Sequence, residues 1–420
     1  MLWYTTLGIM FANILWISAL APLLSVVHAD HKDLSDHDQH NHLNNGSQNV
    51  YQTNNDFAFR LYNQIAANPD FQSKNLFLSP LSISMALAAV SLGARGKTHC
   101  QIFRGLGFNE SDVTDKQVHQ TFLNLLKNLN ERKRVELKSG SVMFINESFK
   151  IHPEFLEDVK RFYLSDGFTT DFTKPAEAAD MINNYMKEKT HGKIKEMVGK
   201  DISPMTVLVL LNYIYFKGKW ASQFDPEDTN ERDFHVNAKT TVPVQMMSKE
   251  GFFEVLYDPT FSATVLNLHY NDSISMMLVL PHKRLKVLEK RIGPDHLAEW
   301  RTKMRKRPCM IYIPKLSIRT SFSLNNILDK LGMSDMFTDI ANFTGISDDP
   351  LEVSEVKHKA TLDVDEVGAV AAGLTEVVFM QRTVRPMDVL EFNRPFMIFI
   401  IHNDANIILF MGKILNPLEN

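Results

Sequence analysis

Serine, histidine and aspartate, the residue types of a nucleophilic triad, all occur in this chain, but no local signature gathers them. It holds no Gly-x-Ser-x-Gly elbow, no His-Glu-x-x-His, no Cys-x-x-Cys and no phosphate-cradling glycine loop, so spacing marks no nucleophile, catalytic metal or nucleotide site. The two cysteines, Cys100 and Cys309, make neither a metal or redox spacing nor a disulfide framework. The better claim to chemistry belongs to a segment near the C-terminus. Between the strand-like runs 356–366 and 389–392 lie Val367-Gly368-Ala369-Val370-Ala371-Ala372-Gly373-Leu374-Thr375 and then residues 376–388. The first half is small and apolar, the composition of a buried strand in the position of a loop. Long loops inside compact domains are uncommon and usually functional. Strand composition in such a place predicts two states, one exposed and one inserted into a sheet.

The elements that must hold such a segment are legible along the chain. Residues 1–29 carry no Asp, Glu, Lys or Arg and close on Val27-His28-Ala29, which predicts a secretory signal peptide. Residues 30–55 are polar, with His31, His37, His40 and His42 among Asp and Asn, and are expected to form a disordered tail without a metal geometry. Folded structure is expected from Asp56, where Phe57, Leu61 and Ile65 share one helical face. Ser79-Pro80 predicts an N-cap and first-turn proline for a helix through Ser91. Residues 118–129, 153–163 and 176–189 read as further helices. The apolar run 207–216 reads as a strand covered on both faces. Strand patterns dominate from Val242 onward, and 396–401 with 407–410 flank Asn403-Asp404-Ala405-Asn406 as a buried hairpin. One uninterrupted texture, without internal repeats, predicts a single α+β domain over 56–420. A net charge of −4, with 44% hydrophobic and 22% charged residues, gives no pull toward nucleic acid or acidic membranes.

Several motifs, in order, carry a family resemblance. They are Asn75-Leu76-Phe77-Leu78-Ser79-Pro80, Asn212-Tyr213-Ile214-Tyr215-Phe216-Lys217-Gly218-Lys219-Trp220, Asp233-Phe234-His235 and Tyr312-Ile313-Pro314-Lys315. His358-Lys359-Ala360, Asp365-Glu366-Val367-Gly368, Ala371-Ala372-Gly373, Phe392-Asn393-Arg394-Pro395-Phe396 and Phe410-Met411-Gly412-Lys413 complete them. With these the chain resembles the serpins, the serine-protease-inhibitor superfamily, and its secreted antitrypsin-like branch. The resemblance implies three β-sheets, about nine helices and an exposed reactive loop at about 367–391. It implies a secreted, monomeric suicide inhibitor of a serine protease rather than an enzyme, with the rival role of a non-inhibitory carrier for a small hydrophobic ligand or hormone.

It also assigns residues. Glu366, Gly368, Ala369, Ala371, Ala372, Gly373 and Thr375 would form the loop hinge, while Val370 and Leu374 depart from the small or acidic residues usual there. Counting fourteen positions on from Gly368 puts the bait at Arg382, followed by Thr383, which suits a trypsin-like protease with a carboxylate in its pocket. A count back from Phe392 falls on Val384 instead, a slipped loop would present Met380, and Pro386 makes Arg385 a poor bait. Ser79, Ser82, Asn212 and His358 would meet as a polar shutter beneath the parting strands, and Trp220 is expected as plain core above. The resemblance leaves both cysteines free. Arg301, Lys303, Arg305, Lys306 and Arg307 make a local basic patch, a heparin or heparan sulfate site by analogy with the corresponding helix of relatives, or else a solvated helix end. Arg132, Lys133 and Arg134 form a weaker candidate. Asn45, Asn109, Asn146, Asn271 and Asn342 stand in N-glycosylation sequons, with Asn109 and Asn271 expected to be best placed, near turns.

Overall fold

Apolar residues on both faces of one strand demand two covering layers, and the computed structural model shows both. It describes residues 33–109, 111–131, 135–271, 273–366 and 387–419, and the packing below lies within residues 45–420. Nine α-helices occur among the described residues: α1 (Asp33–Ala67), α2 (Pro80–Ser91), α3 (Gly96–Leu106), α4 (Asp115–Asn130), α5 (Pro153–Tyr163), α6 (Pro175–Lys189), α7 (Leu285–Glu289), α8 (Pro294–Lys303) and α9 (Asn325–Lys330). The strands are β1 (Leu76–Leu78), β2 (Val135–Asn146), β3 (Asp166–Thr170), β4 (Leu208–Gly218), β5 (Asn230–Asn237), β6 (Thr240–Asp258) and β7 (Ala263–His269). They continue with β8 (Ile274–Pro281), β9 (Arg305–Pro314), β10 (Leu316–Ser323), β11 (Glu355–Val364), β12 (Asp388–Glu391), β13 (Phe396–His402) and β14 (Ile407–Ile414).

One sheet has five strands in the order β10-β11-β4-β2-β3. A second network runs β1-β14-β13-β8-β7-β6-β9-β12, with β5 on β6. The long strand β6 explains why three expected sheets form two connected networks. Its residues 246–255 pair β9 and residues 254–258 pair β7, so one strand serves two sheets. In β4, Leu208, Leu210, Ile214 and Phe216 face the main core, whereas Val209, Leu211 and Tyr213 face a smaller cluster under α6. This double cover accounts for the unbroken apolar run.

Local signals hold where capping chemistry is complete. The Ser79 side chain accepts the Ser82 amide, and Pro80 opens α2, because proline's missing donor costs nothing in a first turn. Gly412 has a close-approach role: a Cβ there would stand 2.2 Å from the Leu76 carbonyl oxygen where β14 pairs β1.

The expected tail needs correction. Helix α1 starts at Asp33, and Val50, Asn54 and Asn55 are already buried. Val50, Asn54, Phe57, Leu61 and Ile65 fall at helical spacing on one buried face. An asparagine in the second of these places hid the stripe's start, and a helix once nucleated gains a bond with each added residue. The signal-peptide reading lies outside the described residues. Among those described, no helix is long and apolar enough to cross a membrane, and no group of His, Cys, Asp or Glu could hold a metal. Neither Cys100 nor Cys309 is in a disulfide.

Candidate functional site

Strands β11 and β4 are parallel neighbours, with eight register pairs from Glu355 opposite Val209 to Leu362 opposite Phe216. The pair sits mid-sheet, and the described residues stop at Glu366, two beyond the end of β11. The hinge from Gly368 to Thr375, the bait pair Arg382 and Thr383, and the alternatives Met380 and Val384 lie outside the described residues, as do Arg132, Lys133 and Arg134. The described residues give the strand pair and the chain on either side of that segment.

Beneath the middle of the pair the four shutter candidates meet. His358 stands opposite Asn212 in register, and its Nδ1 lies 2.6 Å from Asn212 Oδ1. Ser82 Oγ donates to the same oxygen at 2.8 Å. Asn212 Nδ2 donates to the Ser82 carbonyl at 2.9 Å and the Gly140 carbonyl at 3.3 Å. The Ser79 amide donates to His358 Nε2 at 3.3 Å, and Ser79 Oγ donates to the Leu409 carbonyl at 2.6 Å. All four residues are buried. An acceptor at Nε2 and a donor at Nδ1 define a neutral imidazole, and burial pushes the His358 pKa down to about 3. The geometry thus links two strands through side chains able to exchange partners.

At the exit of β11 a second cluster fixes Asp365 and Glu366. Lys217 Nζ lies 2.7 Å from Asp365 Oδ2. Trp220 Nε1 donates to the Asp365 carbonyl at 2.8 Å while its ring stacks on Tyr270 with centroids 4.2 Å apart. Trp220 is therefore more than core. Glu366 receives both carboxylate contacts of Lys315, at 2.9 and 2.8 Å, and the Thr229 hydroxyl at 2.8 Å. Burial would raise the Glu366 pKa, but the Lys315 ammonium, its own backbone and Thr229 outweigh it and hold the carboxyl below its ordinary range. Sequence reading found Glu366 and missed Lys217, Lys315 and Thr229, whose partners lie 51 to 148 residues away. The Lys217 and Lys315 motifs were visible, but nothing in them pointed to Asp365 or Glu366.

The basic patch does not form one helical face. Helix α8 ends at Lys303, buried Met304 turns the chain, and Arg305, Lys306 and Arg307 begin β9. Arg301 is turned to Asn403 and Asn406 in the β13–β14 turn. Lys303 pairs with Glu299, and Arg305 donates to the Thr302 and Met304 carbonyls at 2.9 and 2.8 Å. Among the sequons, Asn109 and Asn342 are exposed. Asn342 accepts the Thr344 amide and hydroxyl at 3.3 and 2.8 Å. Asn271 is half-buried beside a turn, and its amide points at the Lys219 and Trp220 carbonyls, at 3.3 and 3.4 Å. Asn146 is half-buried with Nδ2 on the Thr206 carbonyl at 3.3 Å, and Asn45 lies in α1.

Residues 52–417 match the family model described as Serpin (serine protease inhibitor). The chain is a serpin. It is 41% identical over 373 residues to Serpin A3-3 of Bos taurus, covering 87% of this chain and 89% of that one. It is 39% identical over 364 residues to Alpha-1-antiproteinase S of Cavia porcellus, covering 86% and 89%. Among solved structures, human thyroxine-binding globulin complexed with thyroxine aligns with a TM-score of 0.83 at 33% identity, covering 89% of this chain and 100% of that one. Human glycosylated kallistatin aligns at 0.81 and 35%, covering 89% and 99%. The α+β architecture read from the motifs is that of this serpin, and antitrypsin-like relatives support protease inhibition as its role.

Proposed function

We propose that this serpin is a secreted suicide inhibitor of a trypsin-like serine protease, with Arg382–Thr383 as the scissile bond. The observation that carries the reading is the direct parallel pairing of β11 and β4 over exchangeable polar groups, at the point from which the loop departs. The protease serine oxygen attacks the Arg382 carbonyl carbon, an ester forms, and the Thr383 amine leaves with a proton relayed by the protease histidine. The freed N-terminal half then enters between β11 and β4. Opening the pair gives up one ladder and insertion forms two, at about 1 kcal/mol net per backbone hydrogen bond. For about a dozen residues that is on the order of 10 kcal/mol, enough to carry the tethered protease away and distort its oxyanion hole before deacylation. Insertion of this loop is a general example of strand addition and stored strain.

Carriage of a small hydrophobic ligand is less well supported. The cavity beside α8, of about 570 Å³, presents Glu254, Asn267, His269 and Arg301, groups that an apolar ligand would have to desolvate. A glycosaminoglycan would meet Lys303, Arg305, Lys306 and Arg307, which remain exposed. The test is incubation with trypsin and thrombin followed by a denaturing gel. A covalent band lost in Arg382→Ala is expected; its persistence in that variant refutes the bond assignment, and its absence from the parent refutes inhibition.

A further inference from the structure

The run from His282 to Arg291 carries five lysine and arginine residues in ten positions and one carboxylate, Glu289. The net charge of −4 averages over the whole chain and conceals this local excess. Helix α7 sorts the run by face. Leu285, Leu288 and Glu289 fall at helical spacing on the inner side, where Leu288 joins the core and Leu285 packs against it. Glu289 accepts the Tyr62 hydroxyl at 2.7 Å and lies 2.9 Å from Lys413 Nζ, so its charge is answered inside the fold. Lys283, Arg284, Lys286, Val287, Lys290 and Arg291 are left exposed. Among the described residues no ion pair reaches Lys283, Arg284, Lys286 or Lys290. Arg291 is tethered, its guanidinium 5.1 Å from the Phe261 ring centroid. The end of β6 brings Tyr257 alongside, 56% exposed, with its ring centroid 5.6 Å from that of His282. Asp258, next in β6, is engaged by Trp300 Nε1 at 2.6 Å. Val287 is 50% exposed in the midst of the cations. Singly, such apolar exposure is ordinary; set among uncompensated cations it is the pattern of a membrane-facing surface.

We propose that this surface seats the protein on an anionic lipid bilayer, with the cations on the headgroups and Val287 and Tyr257 at the headgroup–acyl boundary. The two kinds of side chain together decide the occupant. Each lysine or arginine near an anionic leaflet strengthens attachment about fivefold. A sulfated polysaccharide would match the cations equally well, but it offers no apolar layer, so Val287 would gain nothing from it. A bilayer interface takes an aliphatic side chain and a tyrosine ring together with ammonium groups on flexible stems. Helix α7 has five residues, too few to lie in the interface as an anchor of its own. Attachment is therefore peripheral, reversible and sensitive to salt.

The experiment is co-sedimentation of the full chain with vesicles of phosphatidylcholine, either alone or with a third of phosphatidylserine. The parent should partition onto the mixed vesicles and not onto the neutral ones. Lys283→Gln with Arg284→Gln should weaken that partition on the order of 25-fold, and Val287→Ser, which leaves every charge in place, about threefold. Melting temperatures should stay unchanged, because these side chains are exposed. Arg305→Gln with Arg307→Gln should partition like the parent; loss of partition in that pair instead overturns the placement. Equal partition onto both vesicles, or unchanged partition in the Lys283 and Arg284 double variant or in Val287→Ser, overturns the proposal. A parent that ignores both vesicles, yet loses heparin retention in the double variant, has a polysaccharide site here instead, which also overturns it. The readout needs no protease, so its failure leaves the inhibitory reading standing.

Discussion

Glu366→Gln tests whether the cluster at the β11 exit restrains the sheet. The substitution keeps size and the Thr229 contact but removes the charge facing Lys315 at 2.8 and 2.9 Å. Hydrogen bonds to charged groups contribute about 1.5–3 kcal/mol. The Glu366 side chain is 9% exposed, but that of Lys315 is 40% exposed, so solvent screening brings the expected loss to about 1–2 kcal/mol. On the proposed mechanism that loss falls on the closed sheet, because Glu366, two residues beyond β11, would swing away as the loop enters. The assay is uptake of a synthetic peptide with the sequence of residues 367–381, followed by native gel or fluorescence. A loss of 1–2 kcal/mol in the closed state should speed uptake about 5- to 30-fold and lower the melting temperature of the intact form by a few degrees. Lys315→Met should act in the same direction, and the double variant should be less than additive. Uptake within twofold of the parent in both single variants refutes the restraint. An effect in Glu366→Gln alone assigns it to the hinge residue and not to the ion pair.

Acid should loosen the same sheet. The folded-state pKa of His358 is lowered from 6.5 to about 3 and that of His119 to about 4, burial being the main cause in each. The unfolded chain therefore takes up these protons first, so stability is full above pH 6.5 and falls as pH drops toward 4. At pH 5 each histidine should cost about 2 kcal/mol. Denaturant titrations from pH 7.5 to 4.5 check this, and His358→Gln should remove about half of the slope between pH 6.5 and 5. Arg305→Ala with Arg307→Ala should elute from heparin at lower salt than the parent, whereas Arg301→Ala should elute unchanged because its guanidinium is held by Asn403. Unchanged elution of the first pair removes that site. The form nicked between Arg382 and Thr383 should melt well above the intact form; equal melting would leave no stored work to drive inhibition.

Much of this was legible because the signals were local. Ser79-Pro80 is an N-cap whose donor and acceptor lie three residues apart, and the hairpin 396–414 closes on itself, so short-range chemistry decided both. Strand β4 was legible because both faces are apolar. Strand β2 was not: its glutamate, lysine, serine and glycine look polar, and their place follows from pairing with β4 across 72 residues of chain from Gly140 to Asn212. The shutter was named by motif but could not be assembled from sequence, since apart from Ser79–Ser82 its mutual contacts join residues 130 to 279 apart. Patch continuity failed for the converse reason. Five basic residues close in sequence were divided by one buried methionine at a helix-to-strand turn.

Opening β11 from β4 also has to reckon with the layer outside them. Ile194, Met197 and Val198, just after α6, pack on the outer face of β2 and β4. From this strap the Glu196 carbonyl accepts Lys359 Nζ of β11 at 2.5 Å, and Lys193 Nζ stands 5.0 Å from the Tyr215 ring centroid of β4. One segment therefore touches both strands of the pair, and on the proposed mechanism an entering strand would pass beneath it. Lys359 is half-buried and burial lowers its pKa, so the ammonium is held in place against a desolvation cost, and its release costs less than an ordinary charged contact. Lys359→Met should then speed peptide uptake only about two- to fivefold, less than Glu366→Gln, while leaving the melting temperature within a degree or two. If Lys359→Met speeds uptake more than Glu366→Gln does, the strap and not the exit cluster controls entry, and the order of restraint argued above is reversed.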